Sequence, residues 1–134
     1  MSQRIHEVIS GISPGAAPGS VRVRPDATPS VVTVIVLPDG DVVERSGVSA
    51  EEAVSLAGGA SLSWIHVDGL GDSHVMELLM KEYSLHPLAV EDTMSPLQRP
   101  KLDDYGESLF LSLRLPGAVC ADETAGQLSL FVLK

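Results

Sequence analysis

The sequence predicts an α/β protein with a mixed β-sheet, and three observations carry that reading. Val31-Val32-Thr33-Val34-Ile35-Val36-Leu37 is β-branched almost throughout, as a strand buried on both faces would be. Val75 to Tyr83 repeats apolar residues at helical spacing behind a capping residue. The chain then closes on two apolar strand patterns, Ser108–Leu115 and Gln127–Leu133. Hairpins favour antiparallel neighbours and helical crossovers favour parallel ones, so a chain using both connections is expected to build a mixed sheet.

Taken in order, residues 1–29 read as a flexible Gly/Pro-rich tail, and residues 30–134 as one α/β domain. Gly11, Pro14, Gly15, Pro18, Gly19, Pro25 and Pro29 interrupt the tail too often for a helix or central strand, with at most a short edge strand at Val21–Arg24. Behind the first strand, Pro38-Asp39-Gly40-Asp41 supplies a tight turn and Val42-Val43-Glu44 a returning partner. Ser49 with Glu52 is a capping-box pattern that opens a short helix, and Gly58-Gly59 ends it. Ser61 to Asp68 forms the next strand, with Leu62, Trp64 and His66 on one face and Ile65 and Val67 on the other. Asp72 or Ser73 caps the helix that runs to about Tyr83, and Pro87 starts another through Thr93. Beyond Pro96 and Pro100 the chain reads as irregular until Ser108. A strand at the very end of the sequence makes the chain look like a piece of a longer protein.

Composition narrows the function. The 134 residues carry 18 acidic and 9 basic side chains, a net charge of −9, which opposes binding to nucleic-acid phosphates or anionic lipid. One cysteine, Cys120, permits neither an internal disulfide nor a thiolate zinc cage. The longest strongly apolar run, Val31–Leu37, is far short of the roughly 20 residues that span a bilayer. Catalytic patterns are missing too. His6, His66, His74 and His86 form no HExxH motif, and Gly69-Leu70-Gly71 lacks the third glycine of a dinucleotide loop. No enzyme is expected. His66 reads as a core or rim histidine, and His86 as a capping or packing residue before Pro87. The carboxylates offer more: Glu91-Asp92 stand together near a helix end, and Asp103-Asp104 follow. Neighbours on a helix diverge by about 100°, so Glu91 and Asp92 cannot easily chelate one ion together, but each can lend an oxygen to a hard cation shared with another element. The other reading of Glu91 is a salt bridge to Arg99 or Lys101.

Several segments occur together in one order. Trp64-Ile65-His66-Val67-Asp68-Gly69 is followed by Tyr83-Ser84-Leu85-His86-Pro87-Leu88-Ala89-Val90-Glu91-Asp92, then by Gln98-Arg99-Pro100-Lys101 and Asp104-Tyr105, and then by the two apolar strands. This succession resembles the cytoplasmic domain of CorA-type magnesium/cobalt transport proteins, with their "H-P-L-x-x-E-D" and "Q-R-P-K" runs. The family's Gly-Met-Asn pore signature is absent, and Leu97 stands where some members carry a histidine.

The resemblance implies a three-layer α/β/α sandwich attached, in the family, to a stalk helix and two carboxy-terminal membrane helices. It further implies a homopentamer on the cytoplasmic side of the cell membrane that conducts Mg²⁺ (also Co²⁺ or Ni²⁺) and closes when cytoplasmic Mg²⁺ binds between subunits. Asp92 would supply a carboxylate to that weak regulatory Mg²⁺ site, and Glu91 would lie at a neighbouring one. The partner acids would come from the adjacent subunit's stalk, so this chain would carry half a site. His86, Pro87, Arg99, Pro100 and Lys101 read as scaffold. A zinc-transporting relative of the same architecture and a stand-alone acidic α/β protein-binding module are the alternatives.

Overall fold

A computed structural model of the chain describes residues 19–38, 40–95, 98–115 and 126–134. Expectations resting on residues 1–18 (His6 among them), Asp39, Leu97 and Cys120 lie outside the described residues. The chain divides into two compact units, Val21–Ser84 and Leu85–Lys134, the second joined by Gly19 and Ser20.

In the first unit, β1 (Val31–Leu37) is the central strand of a three-stranded sheet, with β2 (Val43–Val48) on one side and β3 (Leu62–Asp68) on the other. Both pairings are antiparallel. The register sets Val36 beside Val43 and Thr33 beside Ser46, and Gly47 is an extra residue before Val48 meets Val32. Alternate residues of β1 face in opposite directions, so Val32, Val34 and Val36 are buried while Val31 is exposed.

Helix α1 (Ala50–Gly58) covers the buried face, packing against β1, β3 and helix α2 (Ser73–Glu82). Its inward residues are Ala50, Ala53 and Ala57, whose small side chains let the helix lie close to the valines. Ser49 caps it as expected, accepting from the Glu52 amide at 3.1 Å. Asp72 caps α2 through the His74 amide at 2.9 Å, and Val75, Met76 and Leu79 form its buried stripe.

The Gly69-Leu70-Gly71 segment packs against the chain that leads into β1. The Gly71 amide donates to the Thr28 carbonyl at 2.7 Å, and the Ser30 hydroxyl donates to the Gly69 carbonyl at 3.0 Å. Gly69 sits at φ +81°, where a side chain would run into the Pro29 carbonyl. These glycines serve close backbone packing. They also show that Thr28 and Pro29, at the end of the expected tail, take part in specific contacts.

The second unit holds helix α3 (Pro87–Met94) and a second three-stranded antiparallel sheet, β4 (Lys101–Asp104), β5 (Ser108–Leu115) and β6 (Gly126–Leu133), with β5 central. Pro87 opens α3 as expected. The strand β4 falls where the sequence reads as irregular, whereas Val21–Arg24 forms no strand. Phe110 is fully buried on β5 and packs against Phe131 of β6, with ring centroids 4.9 Å apart.

The α/β class holds, but the expected mixed sheet is replaced by antiparallel pairing throughout the described strands. The physical reason lies in strand order. The helical crossover through α1 joins β2 to β3, two strands that run the same way, but β1 lies between them. Every neighbouring pair is therefore antiparallel.

Candidate functional site

Asp92 lies near the end of α3, a half-buried residue whose side chain retains 23% of its exposure. Its Oδ2 accepts from Lys101 Nζ at 2.6 Å, and the same ammonium stands 2.6 Å from Asp103 Oδ2. The β4 pleat explains the second contact, because Lys101 and Asp103 are two residues apart and share one face. The Phe110 ring lies 5.5 Å from Nζ, measured to its centroid. Hydrogen bonds donated to Asp103 first and to Asp92 second hold the Lys101 pKa well above its ordinary value, so the ammonium is charged at any physiological pH.

Gln127 of β6 secures the same corner. Its Nε2 donates to the Asp92 carbonyl at 3.1 Å, and its Oε1 accepts from the Gln98 amide at 3.1 Å. One amide side chain thus ties the end of α3 to the Gln98–Lys101 stretch. At the other end of α3, the His86 ring is both cap and packing surface. Nδ1 accepts from the Leu88 amide at 3.3 Å, and the ring stacks on Tyr105 at 4.1 Å with 13° between planes. Both roles expected of His86 are present.

Glu91 goes elsewhere. It is exposed, and its Oε2 accepts from the Gly19 amide at 2.9 Å. The two adjacent carboxylates therefore have separate partners, as helical divergence requires. Lys101, offered with Arg99 as a balance for Glu91, pairs with Asp92 and Asp103 instead. His66 is exposed on β3, outside any core.

On β5, Ser112 is fully buried, and its hydroxyl has no hydrogen-bond partner among the described residues. The register sets it between Lys101 and Ser129. Sequence reasoning missed Gln127, Ser112 and the pairing role of Lys101. A period-two reading of Lys101-Leu102-Asp103-Asp104 was the available signal for the last.

Among the described residues, no three or more His, Cys, Asp or Glu side chains gather into a metal cage. The donor chemistry at Asp92 nonetheless suits part of a hard-cation site, since its carboxylate has Oδ1 unpartnered among the described residues and Mg²⁺ binds through one or two carboxylates plus water. No described helix is long and apolar enough to cross a membrane.

The model of a family described as CorA-like Mg²⁺ transporter protein matches residues 59–133, from the end of α1 through β6 and including Asp92 and Lys101. The chain is also similar to the cobalt/magnesium transport protein CorA of Thermotoga maritima, at 24% identity over 72 residues. That similarity covers 54% of this chain but only 20% of the relative's length.

Proposed function

The chain belongs to the CorA-like Mg²⁺ transporter family, and on that premise we propose that it is the cation-sensing cytoplasmic part of a divalent-cation channel. Asp92 is the residue that carries the reading. It is half-buried, fixed in position by Lys101 and Gln127, and engaged through only one carboxylate oxygen among the described residues. Such a group can bind a cation without first being ordered.

In the longer protein, Asp92 faces acidic residues of a neighbouring subunit in a homopentamer, and Glu91 lies at an adjoining position. Facing carboxylates repel, and a divalent ion between them turns the repulsion into a bridge. When cytoplasmic Mg²⁺ is plentiful the ion holds the interface closed. When it is scarce the interface loosens and the pore conducts Mg²⁺, with Co²⁺ or Ni²⁺ as alternative cargo. What Mg²⁺ supplies at Asp92 is charge neutralisation across the boundary. The chain's own part is to keep that carboxylate ionised and aimed. Residues 30–134 form the sensing part, and residues 1–29 form its leader.

The test is Asp92→Asn in the full-length protein, followed by flux at rising internal Mg²⁺. Closure should require several-fold more Mg²⁺ than in the parent. Unchanged sensitivity would remove Asp92 from the role, and comparing Zn²⁺ with Mg²⁺ in the same assay would decide between a zinc and a magnesium transporter.

A second reading, a stand-alone acidic protein-binding module, has its own observation. On the face of the first sheet opposite α1, Ile35, Leu37, Leu62 and Trp64 line an open apolar shelf. The reading frame beyond Lys134 separates the two: apolar spans flanking Gly-Met-Asn support transport, and an immediate stop supports the module.

A further inference from the structure

The side chain in contact with the proposed sensing carboxylate is itself a cation. We propose that Lys101 is a tethered competitor for the divalent ion at Asp92, so that the ion binds Asp92 against an ammonium already held on its Oδ2. This rests on the reading of Asp92 given above and adds the element that sets its threshold.

Three observations support it. Nζ is 2.6 Å from one carboxylate oxygen of Asp92 and 2.6 Å from one of Asp103, so two of its three N–H donors are committed to carboxylates. The Lys101 side chain is about two thirds covered, at 33% exposure, and Phe110 lies beneath the ammonium. The charge is therefore held in place instead of sweeping through solvent.

Charge balance shows what competition means here. Two carboxylates and one ammonium leave a net charge of −1, which still attracts cations. A divalent ion that takes Asp92 while Lys101 stays on Asp103 must be bound beside a fixed positive charge, which weakens it at short range. An ion that displaces Lys101 altogether neutralises both carboxylates but must first break two charge-assisted hydrogen bonds. Either route raises the concentration at which the ion binds. With Lys101 in place, Asp92 exchanges one cation for another and stays ordered throughout.

The strand β4 gives the device its geometry. Asp103 holds Lys101 from the same face of the strand, so an ammonium released by Asp92 still has a partner. The exchange leaves no buried charge unpaired, and the cost of release stays low enough for reversible sensing.

The experiment measures Mn²⁺ binding to the 134-residue chain by the electron-spin signal of free Mn²⁺, with Mg²⁺ as competitor. Lys101→Met is expected to bind Mn²⁺ about tenfold more tightly than the parent, and Lys101→Arg, which keeps the charge, within about twofold of it. Lys101→Gln, a polar replacement, provides the same comparison if Lys101→Met does not fold, with far-ultraviolet circular dichroism checking each variant. Equal affinity in the parent and both neutral variants would overturn the proposal, as would an equal gain in Lys101→Arg. Adding Asp92→Asn to the neutral variant should abolish the gain. A gain that survives Asp92→Asn would mean that the ion is held without Asp92, and would sink the reading of Asp92 as a cation ligand along with this one. Absence of any gain sinks only the role of Lys101, and the flux test of Asp92 stands apart.

Discussion

The two units are built from similar parts by different means. Each has a three-stranded antiparallel sheet with a central hairpin strand, but the Val21–Ser84 unit is held by apolar and backbone packing. Its valines meet the alanines of α1, and its glycines admit the chain at Thr28 and Pro29. In the Leu85–Lys134 unit, Ala89, Val90 and Met94 of α3 are buried and Phe110 is the largest buried side chain, but charge and amide contacts through Lys101 and Gln127 also tie α3 to the sheet. Packing of the first kind is rigid and indifferent to ions. Polar ties of the second kind respond to them, and the proposed sensing residue lies among the ties.

The largest blow to this contrast comes from Phe110. Phe110→Ala should cost about 3–5 kcal/mol, measured by urea unfolding, because the ring is fully buried. A loss below about 1 kcal/mol would mean that Phe110 is not what anchors the second unit. In the first unit, Gly69→Ala should cost roughly 1–3 kcal/mol through strain at positive φ and collision with the Pro29 carbonyl. A neutral result would show that the chain before β1 is loosely held.

Ser112→Ala is expected to go the other way. Removing a buried hydroxyl that lacks a partner should stabilise by about 1 kcal/mol, read as a higher melting temperature. A decrease would show that the Ser112 hydroxyl is satisfied in the folded protein.

The smallest effect is pH-dependent and belongs to the first unit. His74 Nε2 and Glu51 Oε1 are 2.6 Å apart on the surface, joining α2 to α1. The hydrogen bond to Glu51 raises the His74 pKa, and the same contact lowers that of Glu51. The His74 contribution is complete below its unfolded pKa of about 6.5 and is lost as pH rises through the higher folded value. The Glu51 contribution is complete above its unfolded pKa of about 4.3 and is lost as pH falls through the lower folded value. The pair therefore helps most between these limits. Unfolding at pH 6 and pH 8.5 should show a small decline in the parent that His74→Ala lacks. An equal decline in both would remove the pair from the explanation.

Local signals were the most legible in the sequence. Ser49 and Asp72 as caps, Pro87 as a helix start and the β-branched run of β1 each depend on residues within a few positions of one another. Sheet composition depends on strand order, which no local pattern reveals, so β1 came to lie between the strands that the crossover joins. The strand β4 was missed because its four residues include three charges and no β-branched side chain. That omission hid the site in turn. Glu91 and Asp92 were visible as neighbours, but Lys101 could be assigned to Asp92 only once β4 had fixed the direction of its side chain.

Trp64 has a practical consequence. It is the sole tryptophan in the chain and stands 51% exposed on the apolar shelf of the first sheet. Its emission should therefore lie toward the red and be easily quenched in the isolated chain. Anything that covers the shelf, whether a further segment of the same protein or another molecule, would shift that emission toward the blue and shield it from quencher. The chain thus carries its own optical gauge of whether this face is bare.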